Sequence, residues 1–481
     1  MAAVESEADY NITKEQAWKK LKTYQGIRIV SPGKFYEILK KGQHKFSMSS
    51  ILLKNATAVH IFPSSIHQID LRIQSGRIVA CGKDLIPEPG EQVDDLNGRL
   101  VLPGLVNAHT HLYSALARGM PGPQEGPKNF LEILQKIWWK LDRALDEESI
   151  YYSALIGAME AVKAGTTTLV DHHASPNCIS GSLKIVREAL EQIGVRGVLC
   201  YEVTDRNGAA GREAGLRENQ NFLDNHVNSQ FRGLVGAHAS FTLSDQALRA
   251  CAGLAQQNNC GVHIHLAEDG CDAEISRRDF GRSDIVNRLA DFGVLSEKTI
   301  LAHGIFLSAA DLKTILEHRC WLMHNARSNM NNSVGYAPVQ NFGERVSLGT
   351  DGFPADMFEE TRLAFFKGRD AKNGLGPADY LKFLSAGHQL CSELFGMPFG
   401  KLEPGAVADL IILDYSAPTP FTEENLAGHV LLGMKADHVA EVMIAGKFVL
   451  RNKTLIGVDV EKIYQKSRVA AAKLWKRLHM L

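Results

Sequence analysis

Several features that would indicate a membrane, nucleic-acid-binding or secreted protein are missing from this sequence of 481 residues. No run of about 18 apolar residues is present, so no membrane-spanning helix is expected. The net charge is −1 and the basic residues form no long segment, which argues against nucleic acid or an anionic membrane as a partner. The acidic start MAAVESEADY lacks an apolar core and resembles neither a secretory signal nor a transit peptide.

Cysteine pairs are also missing. The eight cysteines are scattered, and none forms a C-x-x-C pair. A disulfide framework or a structural zinc module needs closely spaced cysteines, so the pattern indicates a reducing compartment. We therefore expect a cytoplasmic protein.

Three catalytic signatures are absent as well. There is no G-x-S-x-G for a serine nucleophile, no G-x-G-x-x-G after a strand for a dinucleotide, and no H-x-E…P-C-x-x-C of the zinc cytidine deaminases. The residues that are present, 45% apolar and 22% charged, are ordinary for a globular enzyme. The length suits one large domain with a smaller one, or two to three average domains.

The two ends of the chain have a different pattern of apolar and polar residues from the middle. Residues 1–47 read as an extension, in which the capping-box pattern from Thr13 to Gln16 predicts a short helix. Residues 48–104 and 400–457 consist of short alternating strands, and we expect them to meet as one small β-sandwich domain. From Asp459 an amphipathic helix is predicted over residues 458–481, packed on the body of the protein or on a sister subunit.

The middle of the chain, residues 105–399, alternates apolar runs with amphipathic helical stretches. Such alternation predicts an α/β fold, a (β/α)8 TIM-like barrel, with an open doubly wound sheet as the competitor. The missing G-x-G-x-x-G disfavours the open sheet. The candidate strands are 106–111, 166–173, 197–203, 233–240, 261–268, 299–304, 320–327 and 346–352.

Histidines and carboxylates close several of these apolar strands. Because the carboxyl ends of barrel strands converge on one face, the side chains there should meet. A polar side chain at the end of a buried strand is costly without a partner, so a set of them indicates a site. The set is His109, His111, His263, His265, Glu268, His303, His324 and Asp351.

Three imidazoles with a carboxylate suit one divalent metal ion of the zinc, iron or manganese kind, and not calcium. A metal in an open site lowers the pKa of its bound water and so supplies hydroxide at neutral pH. Glu268, three residues beyond the proposed ligand His265, is placed to carry a proton to the leaving group. The pattern therefore predicts direct hydrolysis by a metal hydroxide.

The segments PGLVNAHTH, GVHIHLAE, LAHG and SLGTDG, in this order, resemble the amidohydrolase superfamily in its deaminase and chlorohydrolase branch. KLEPGAVADLIILD is similar to the segment with which that family re-enters its small β-sandwich. WWKLDRALDEESIYYSALI, LVDHHASP and MHNARSNMNN also resemble segments of the bacterial SsnA-type aminohydrolases. The resemblance covers roughly residues 48–480.

This resemblance implies a distorted barrel and a metal ligand set of His109, His111, His265 and Asp351. It also implies that Glu268 is the proton shuttle, that His303 orients the water or polarises the substrate, and that Asp351 accepts a proton. His238 corresponds to a histidine placed against substrate in this branch. The segment GLVGAHAS contains no lysine that could bridge two ions, so one metal ion is expected, with zinc as the first choice. Relatives commonly form dimers or larger homo-oligomers.

Several other residues allow either a functional or a structural role. Arg206, and Arg327 with Ser328 and Asn329 after the seventh strand, lie in loops that could bind substrate, whereas Ser328 and Asn329 could instead only hold the loop backbone. His263 is expected to face the helices, and Trp138 with Trp139 to pack in a core rather than to stack on a base.

The predicted activity is a metal-dependent hydrolase of a non-peptide C–N bond that deaminates a small purine- or pyrimidine-like heterocycle and releases ammonia. Ring opening of a cyclic amide or ureide is the alternative enzyme activity. A non-catalytic scaffold is the alternative from another class.

Overall fold

The structure is a computed structural model that describes residues 50–481 and three short strands nearer the start of the chain. The chain divides into two compact units, Met1–Leu52 with Ile86–Asp94, and Leu53–Leu85 with Asp95–Leu481. In the first unit, the three strands form a sheet in the order β1-β3-β2. They are β1 Tyr10–Ile12, β2 Thr23–Tyr24 and β3 Ile27–Val30. The helix predicted from Thr13 to Gln16 lies outside the described residues.

The remaining strands follow in chain order. They are β4 Ile51–His60, β5 Ser65–Gln74, β6 Arg77–Gly82, β7 Gln92–Asp95, β8 Leu100–Pro103, β9 Leu105–Thr110, β10 Thr166–His173, β11 Arg196–Tyr201, β12 Phe231–Gly233, β13 Val235–Ala239, β14 Val262–Leu266, β15 Ile300–His303, β16 Trp321–His324, β17 Val346–Leu348, β18 Leu410–Leu413, β19 Val439–Ile444, β20 Lys447–Arg451 and β21 Thr454–Leu455.

The α-helices lie mainly between the strands of the middle segment. They are α1 Phe130–Ile133, α2 Trp139–Ala144, α3 Glu147–Lys163, α4 Ser182–Ile193, α5 Gly208–Asn225, α6 Asp245–Gln257, α7 Cys271–Phe280, α8 Ile285–Asp291, α9 Ala309–Glu317, α10 Ala326–Asn331, α11 Met357–Asp370, α12 Pro377–Phe395, α13 Leu426–Gly428 and α14 Val460–Leu478. A π-helical turn, Leu134–Trp138, joins α1 to α2. Among the described residues, no helix has both the length and the apolar character that crossing a membrane requires.

Strands β9 to β17 form two parallel sheets, in the orders β12-β11-β10-β9 and β13-β14-β15-β16-β17. Single parallel bridges join the two sheets at both edges, Val203 to Ala237 and Thr110 to Asp351. Each of the eight predicted strands of the middle segment is present, and the fourth is divided into β12 and β13 around Leu234. The parallel direction brings the carboxyl ends of all these strands to the same side.

Apart from Arg232 of β12, these strands are buried along their whole length, as expected for parallel strands that are covered on both faces. Val106, Val170, Val198 and Met323, from four different strands, belong to one apolar cluster that also includes Leu390 of α12. The cluster fills space among the strands with close-packed side chains. The histidines and carboxylates of interest lie near the carboxyl ends of the strands, whereas buried polar residues such as Asn107 and Ser347 lie within them.

Strands from both ends of the larger unit share one mixed sheet, in the order β21-β20-β19-β18-β8-β4-β5-β6. β18 pairs antiparallel with β8, and Leu410 lies opposite Pro103. A buried ion pair joins this region to β11, since Nε of Arg196 donates to Oδ2 of Asp409 at 2.5 Å. The sheet therefore lies next to the amino end of the parallel strand β11.

The C-terminal segment forms α14, which packs on the body of the protein. The side chain of Asp459 accepts a hydrogen bond from the backbone of Lys462 and so caps the helix. Nε1 of Trp475 donates to the carbonyl of Leu116 at 2.9 Å, and Nε of Arg477 donates to the carbonyl of Ala144 at 2.7 Å. These contacts hold α14 against the segment that directly follows His111 and against the end of α2.

Candidate active site

The carboxyl ends of the parallel strands bring four potential metal ligands together. His109 lies on β9 and His111 directly follows this strand, His265 lies on β14, and Asp351 follows β17. Nε2 of His111 is 3.1 Å from Nε2 of His265 and 3.0 Å from Oδ1 of Asp351. Nε2 of His109 is 3.8 Å from the same carboxylate oxygen. The four side chains therefore surround one point.

Hydrogen bonds to the second ring nitrogens fix which nitrogen of these histidines points into the site. Nδ1 of His111 donates to the carbonyl of His172 at 2.6 Å, and Nδ1 of His265 donates to that of His238 at 2.8 Å. Both Nε2 atoms therefore point into the site, where they face each other. Although burial opposes it, the hydrogen bond to Asp351 raises the pKa of His111 to about 9, so without a cation Nε2 of His111 carries a proton directed at Asp351. Nε2 of His109 is buried and has no hydrogen-bond partner among the described residues. A divalent metal ion could replace that proton and bind these inward-facing nitrogens, so this donor set fits such an ion.

The grouping of ligand atoms gives the same result. The ligand atoms of His109, His111 and His265 lie within 4.8 Å of one another, as do those of His109, His303 and Asp351. The ligand atoms of a third group, His172 with Glu202 and His265, also lie within 4.8 Å of one another. It depends on His265, whose two ring nitrogens already face His238 and His111. The first two groups, which share His109, are therefore the better metal site.

The backbone at two of these positions has an unusual conformation. Asp351 has a φ of 55° and His303 a φ of 76°, both in the left-handed region that residues other than glycine rarely adopt. Such strain persists where the surrounding structure enforces it, and it is common at functional sites. Burial would raise the pKa of Asp351, but its hydrogen bond to His111 and the nearby imidazoles hold this pKa below its usual range.

Glu268 lies just beyond β14 and is buried beside the cluster. Its Oε2 atom is 3.4 Å from Nε2 of His303. Burial, followed by the charge of Asp351, raises the pKa of Glu268 well above its usual range. A carboxyl group with a raised pKa in this position is suited to act as a general acid.

The cluster opens into a cavity of about 350 Å³. His111, His265, Glu268 and Asp351 form part of its wall. Much of the remaining wall is aromatic or aliphatic, which suits a flat, apolar ring. These apolar residues are Leu112, Tyr113, Phe130, Leu134, Trp138, Trp139, Phe241 and Phe353.

His238 also lines this cavity, beside the cluster. Its Nδ1 atom is 2.7 Å from Oγ1 of Thr242, and its ring is packed against Trp139 and Phe241. Burial lowers the pKa of His238 to about 3, so the ring is neutral at physiological pH. A neutral imidazole in the wall can exchange hydrogen bonds with a bound molecule.

Arg206 and Arg327, the two arginines predicted to bind substrate, are not among the residues that line the cavity. The guanidinium of Arg206 donates to Glu202 at 2.7 Å and to Asp142 at 3.3 Å, and it lies over the ring of Trp139. A charged group that is buried needs such partners, so this arginine supports the wall from behind.

Arg327 is engaged in the same way. Its Nε atom donates to Glu360 at 2.5 Å, and its terminal nitrogens donate to Glu359 and to the carbonyl of Pro354. Its planar donor fork is thus directed at α11 and the preceding loop. The sequence did not show the direction of this side chain, which lies on α10 and not in a loop.

Trp138 and Trp139 pack against the main hydrophobic core, as expected, and they also line the cavity. The expected direction of His263 was wrong. His263 does not face the helices, because residues two apart in a strand share a face and His265 points into the site. Nε2 of His263 is 2.8 Å from Nδ1 of His109.

Sequence reasoning missed Asp142 and Glu202, which also line the cavity. Glu202 closes an apolar strand just as the histidines do, so the same rule could have identified it. Asp142 lies in a helical segment rich in charged residues, and no pattern in the sequence distinguishes it from its neighbours. Its Oδ1 atom is buried without a hydrogen-bond partner in the described part of the chain.

Comparison with known proteins agrees with this geometry. The profile of the amidohydrolase family matches residues 100–449. A 5-methylthioadenosine/S-adenosylhomocysteine deaminase of Thermoanaerobacter pseudethanolicus is 30% identical over 400 residues, which are 80% of this chain and 90% of that protein. A 5'-deoxyadenosine deaminase of Methanosarcina acetivorans is 26% identical over 442 residues, 89% of this chain and 99% of that protein.

Solved structures show the same fold at lower sequence identity. A zinc-bound adenosine deaminase from Xanthomonas campestris superimposes with a TM-score of 0.77 at 22% identity, covering 89% of this chain and 99% of that one. The zinc complex of atrazine chlorohydrolase TrzN from Arthrobacter aurescens TC1 gives 0.76 at 20% identity, covering 88% and 100%. The fold is thus the TIM-like barrel of the amidohydrolases. The chain belongs to the amidohydrolase family and is a metal-dependent hydrolase of carbon–nitrogen bonds other than peptide bonds.

Proposed function

We propose that this protein deaminates the adenine ring of a nucleoside that carries no phosphate, such as a 5′-deoxy or 5′-thio-substituted adenosine. The observation that carries the proposal is Glu268, a buried carboxyl group with a raised pKa beside the donor set of His109, His111, His265 and Asp351. Deamination of a ring needs an acid at that point, because the ring nitrogen and then the departing amine must be protonated.

The charge of the cavity wall favours a neutral or cationic substrate. Six acidic residues line the cavity, whereas Arg118 is its one lining arginine or lysine among the described residues. Arg118 is itself paired with Glu160, at 2.6 and 2.9 Å. A phosphate group would find no free cation from these side chains, so a nucleoside fits better than a nucleotide. The deaminase relatives are named for such nucleosides.

The four ligands would hold one divalent ion, for which we propose zinc. When bound, this ion supplies Lewis-acid chemistry and a nucleophilic water at neutral pH. Asp351 would accept a proton from the attacking water, and Glu268 would deliver a proton to the ring nitrogen next to the amino-bearing carbon. A C–O bond would form at this carbon. Glu268 would then take the proton of the new hydroxyl group and pass it to the amine, so that the C–N bond breaks and ammonia leaves, and the proton on Asp351 would return to Glu268.

Three further side chains position the reactants. Nδ1 of His303 donates to Oδ1 of Asn329 at 2.8 Å, which leaves Nε2 facing the carboxylates of Glu268 and Asp351. There it would orient the attacking water. His238 would contact the ring, and the unpartnered Oδ1 atom of Asp142 would accept a hydrogen bond from a substrate hydroxyl.

The test is an assay of the metal-loaded protein with adenosine, 5′-deoxyadenosine, 5′-methylthioadenosine, AMP and a cyclic ureide. We expect one equivalent of ammonia from the nucleosides and little from AMP. Formation of an acid from the ureide without ammonia would instead support the ring-opening alternative. A stable protein that binds no zinc and converts none of the compounds would support the scaffold.

We also propose that the sheet strands within 48–104 and 400–457 form the small β-sandwich domain of this family around the 105–399 barrel, and that 458–481 completes the body. Assignment to the SsnA-type aminohydrolases and assembly into a homo-oligomer remain predictions. Light scattering of the purified protein would measure the assembly.

A further inference from the structure

One short segment contacts three of the side chains to which the proposed function assigns chemistry. It consists of α10 and the residue that follows it, with Ser328, Asn329 and Asn332 as its contacting residues. All three are buried. The resemblance to known proteins assigns them no role, and the sequence alone could not distinguish substrate contacts from loop support.

Ser328 divides the two oxygens of Asp351 between different partners. Its hydroxyl donates a short hydrogen bond to Oδ2 of Asp351. Oδ1 of the same carboxylate is left facing Nε2 of His111 at 3.0 Å. Because Oδ2 already accepts this hydrogen bond, Oδ1 is the oxygen of Asp351 that is better placed to bind a metal ion.

Asn332 links this serine to Glu268. Its Nδ2 atom lies 3.3 Å from Oε1 of Glu268 and 3.4 Å from Oγ of Ser328, and it donates to both. The hydroxyl of Ser328 therefore accepts from Asn332 while it donates to Asp351. The direction of this chain is consistent, since each donor meets an acceptor.

Asn329 fixes the ring of His303. Its Oδ1 atom accepts from Nδ1 of His303 at 2.8 Å, so the proton of the neutral ring is on Nδ1. The bare Nε2 atom then points toward Glu268, 3.4 Å away. Reversal of the ring would place a protonated nitrogen there, so this contact sets the donor and acceptor pattern at the site.

The segment is itself held rigidly from the opposite side. Arg327 is buried and bound to Glu360, Glu359 and the carbonyl of Pro354. The backbone of Asn332 donates to the carbonyl of Ser328 at 2.9 Å. Side chains on such a support lose little further freedom when they bind the reacting groups.

We infer that the segment Ser328–Asn332 positions the reacting groups of the site, with Ser328 holding Asp351 as a ligand through one oxygen. The inference rests on the proposed function for the roles of Glu268 and His303, but the part that concerns Asp351 depends only on metal binding. Ser328 is thus a positioning residue that acts through Asp351.

The experiment compares Ser328→Ala, Ser328→Thr and a matched control, Ser347→Ala, in the full-length protein. Ser347 is a buried serine on β17 whose hydroxyl has no hydrogen-bond partner within the described residues. For each variant, competition with a chelator gives the zinc dissociation constant. The visible spectrum of the cobalt-loaded protein reports the ligand geometry, and nucleoside deamination gives kcat and KM.

For Ser328→Ala we expect zinc affinity to fall about 10–100-fold and the cobalt spectrum to change, because Asp351 is no longer oriented. The value of kcat should fall while KM changes little. Ser328→Thr should restore zinc affinity, and Ser347→Ala should match the parent protein. Zinc affinity within twofold of the parent and an unchanged spectrum in a folded Ser328→Ala protein would overturn the inference.

A second variant, Asn332→Leu, tests the link to Glu268. Here kcat should fall with little change in zinc affinity, because Asn332 does not contact a ligand directly. Unchanged kcat would overturn this part. If Ser328→Ala changes zinc affinity but no nucleoside releases ammonia, the proposed function fails and the assignment of Ser328 stands.

Discussion

Nε2 of His263 lies 2.8 Å from Nδ1 of His109, which makes one histidine the support of another. If His109 donates this hydrogen bond, its Nε2 atom keeps a lone pair directed at the metal site. The second ring nitrogen of His263, Nδ1, lies 3.8 Å from the sulfur of Cys200. Neutral, buried rings are what this arrangement requires, and burial lowers the pKa of His263 well below its usual range.

Replacement of His263 by leucine should therefore weaken metal binding. Loss of the acceptor lets the ring of His109 turn, and removal of such a partner typically costs about 10–100-fold in metal affinity. His263→Gln, whose amide oxygen can accept from Nδ1, should retain more affinity than leucine. Zinc dissociation constants measured by chelator competition check this, and equal constants for both variants would contradict it.

Replacement of Glu268 by glutamine should preserve the metal but stop turnover. The amide keeps the shape of the side chain, whereas it has no proton to deliver, and loss of a general acid typically costs about 10²–10⁴-fold in rate. Metal content by atomic emission and ammonia release by a coupled assay would be measured on the same sample. Near-normal turnover in the metal-replete variant would exclude Glu268 as the proton carrier.

Asp142 should affect the binding of nucleosides more than that of free bases. Burial raises its pKa to about 7, against the opposing charge of Arg206, so its carboxylate form grows as pH rises through 7. If this form accepts a hydroxyl hydrogen bond, KM for nucleosides should fall with rising pH in the parent protein.

Asp142→Ala should raise KM for nucleosides about 10-fold and abolish that pH trend, because a hydrogen bond to a charged group is worth roughly 1.5–3 kcal/mol. Adenine, which lacks the sugar, serves as the control substrate. An equal effect on adenine and on its nucleosides would show that Asp142 acts through the wall and not through the sugar.

Gly349 should tolerate no side chain. A β-carbon added there would lie 2.7 Å from Cβ of His109 and 2.8 Å from its carbonyl oxygen, so the strand that carries the metal ligand must shift. We expect Gly349→Ala to lose about 1–3 kcal/mol of stability and to bind zinc more weakly. Gly253→Ala, in α6 with no atom within 4 Å of the added carbon, should be neutral or slightly stabilising in thermal unfolding.

Much of the fold could be predicted from the sequence because the local pattern of apolar residues agrees with the burial of those residues in the structure. Each predicted strand of the middle segment is an apolar run, and an apolar run covered on both faces has few alternatives to a buried parallel strand. His109, His265 and Asp351 could be identified because each ends such a run, and the parallel direction brings these ends together. Glu202 ends a run in the same way and was overlooked.

The sequence by itself therefore determined which strands exist and which polar side chains lie at their ends. Only the tertiary structure decided where the long side chains point. Arg327 binds Glu360, 33 residues away, and Arg206 binds Asp142, 64 residues away. A long, flexible arginine side chain points toward the buried carboxylate that lies near it. Which carboxylate lies near it depends on how the chain packs. For the same reason the contacts of Ser328 and Asn332 with Asp351 and Glu268 could be found only in the folded chain.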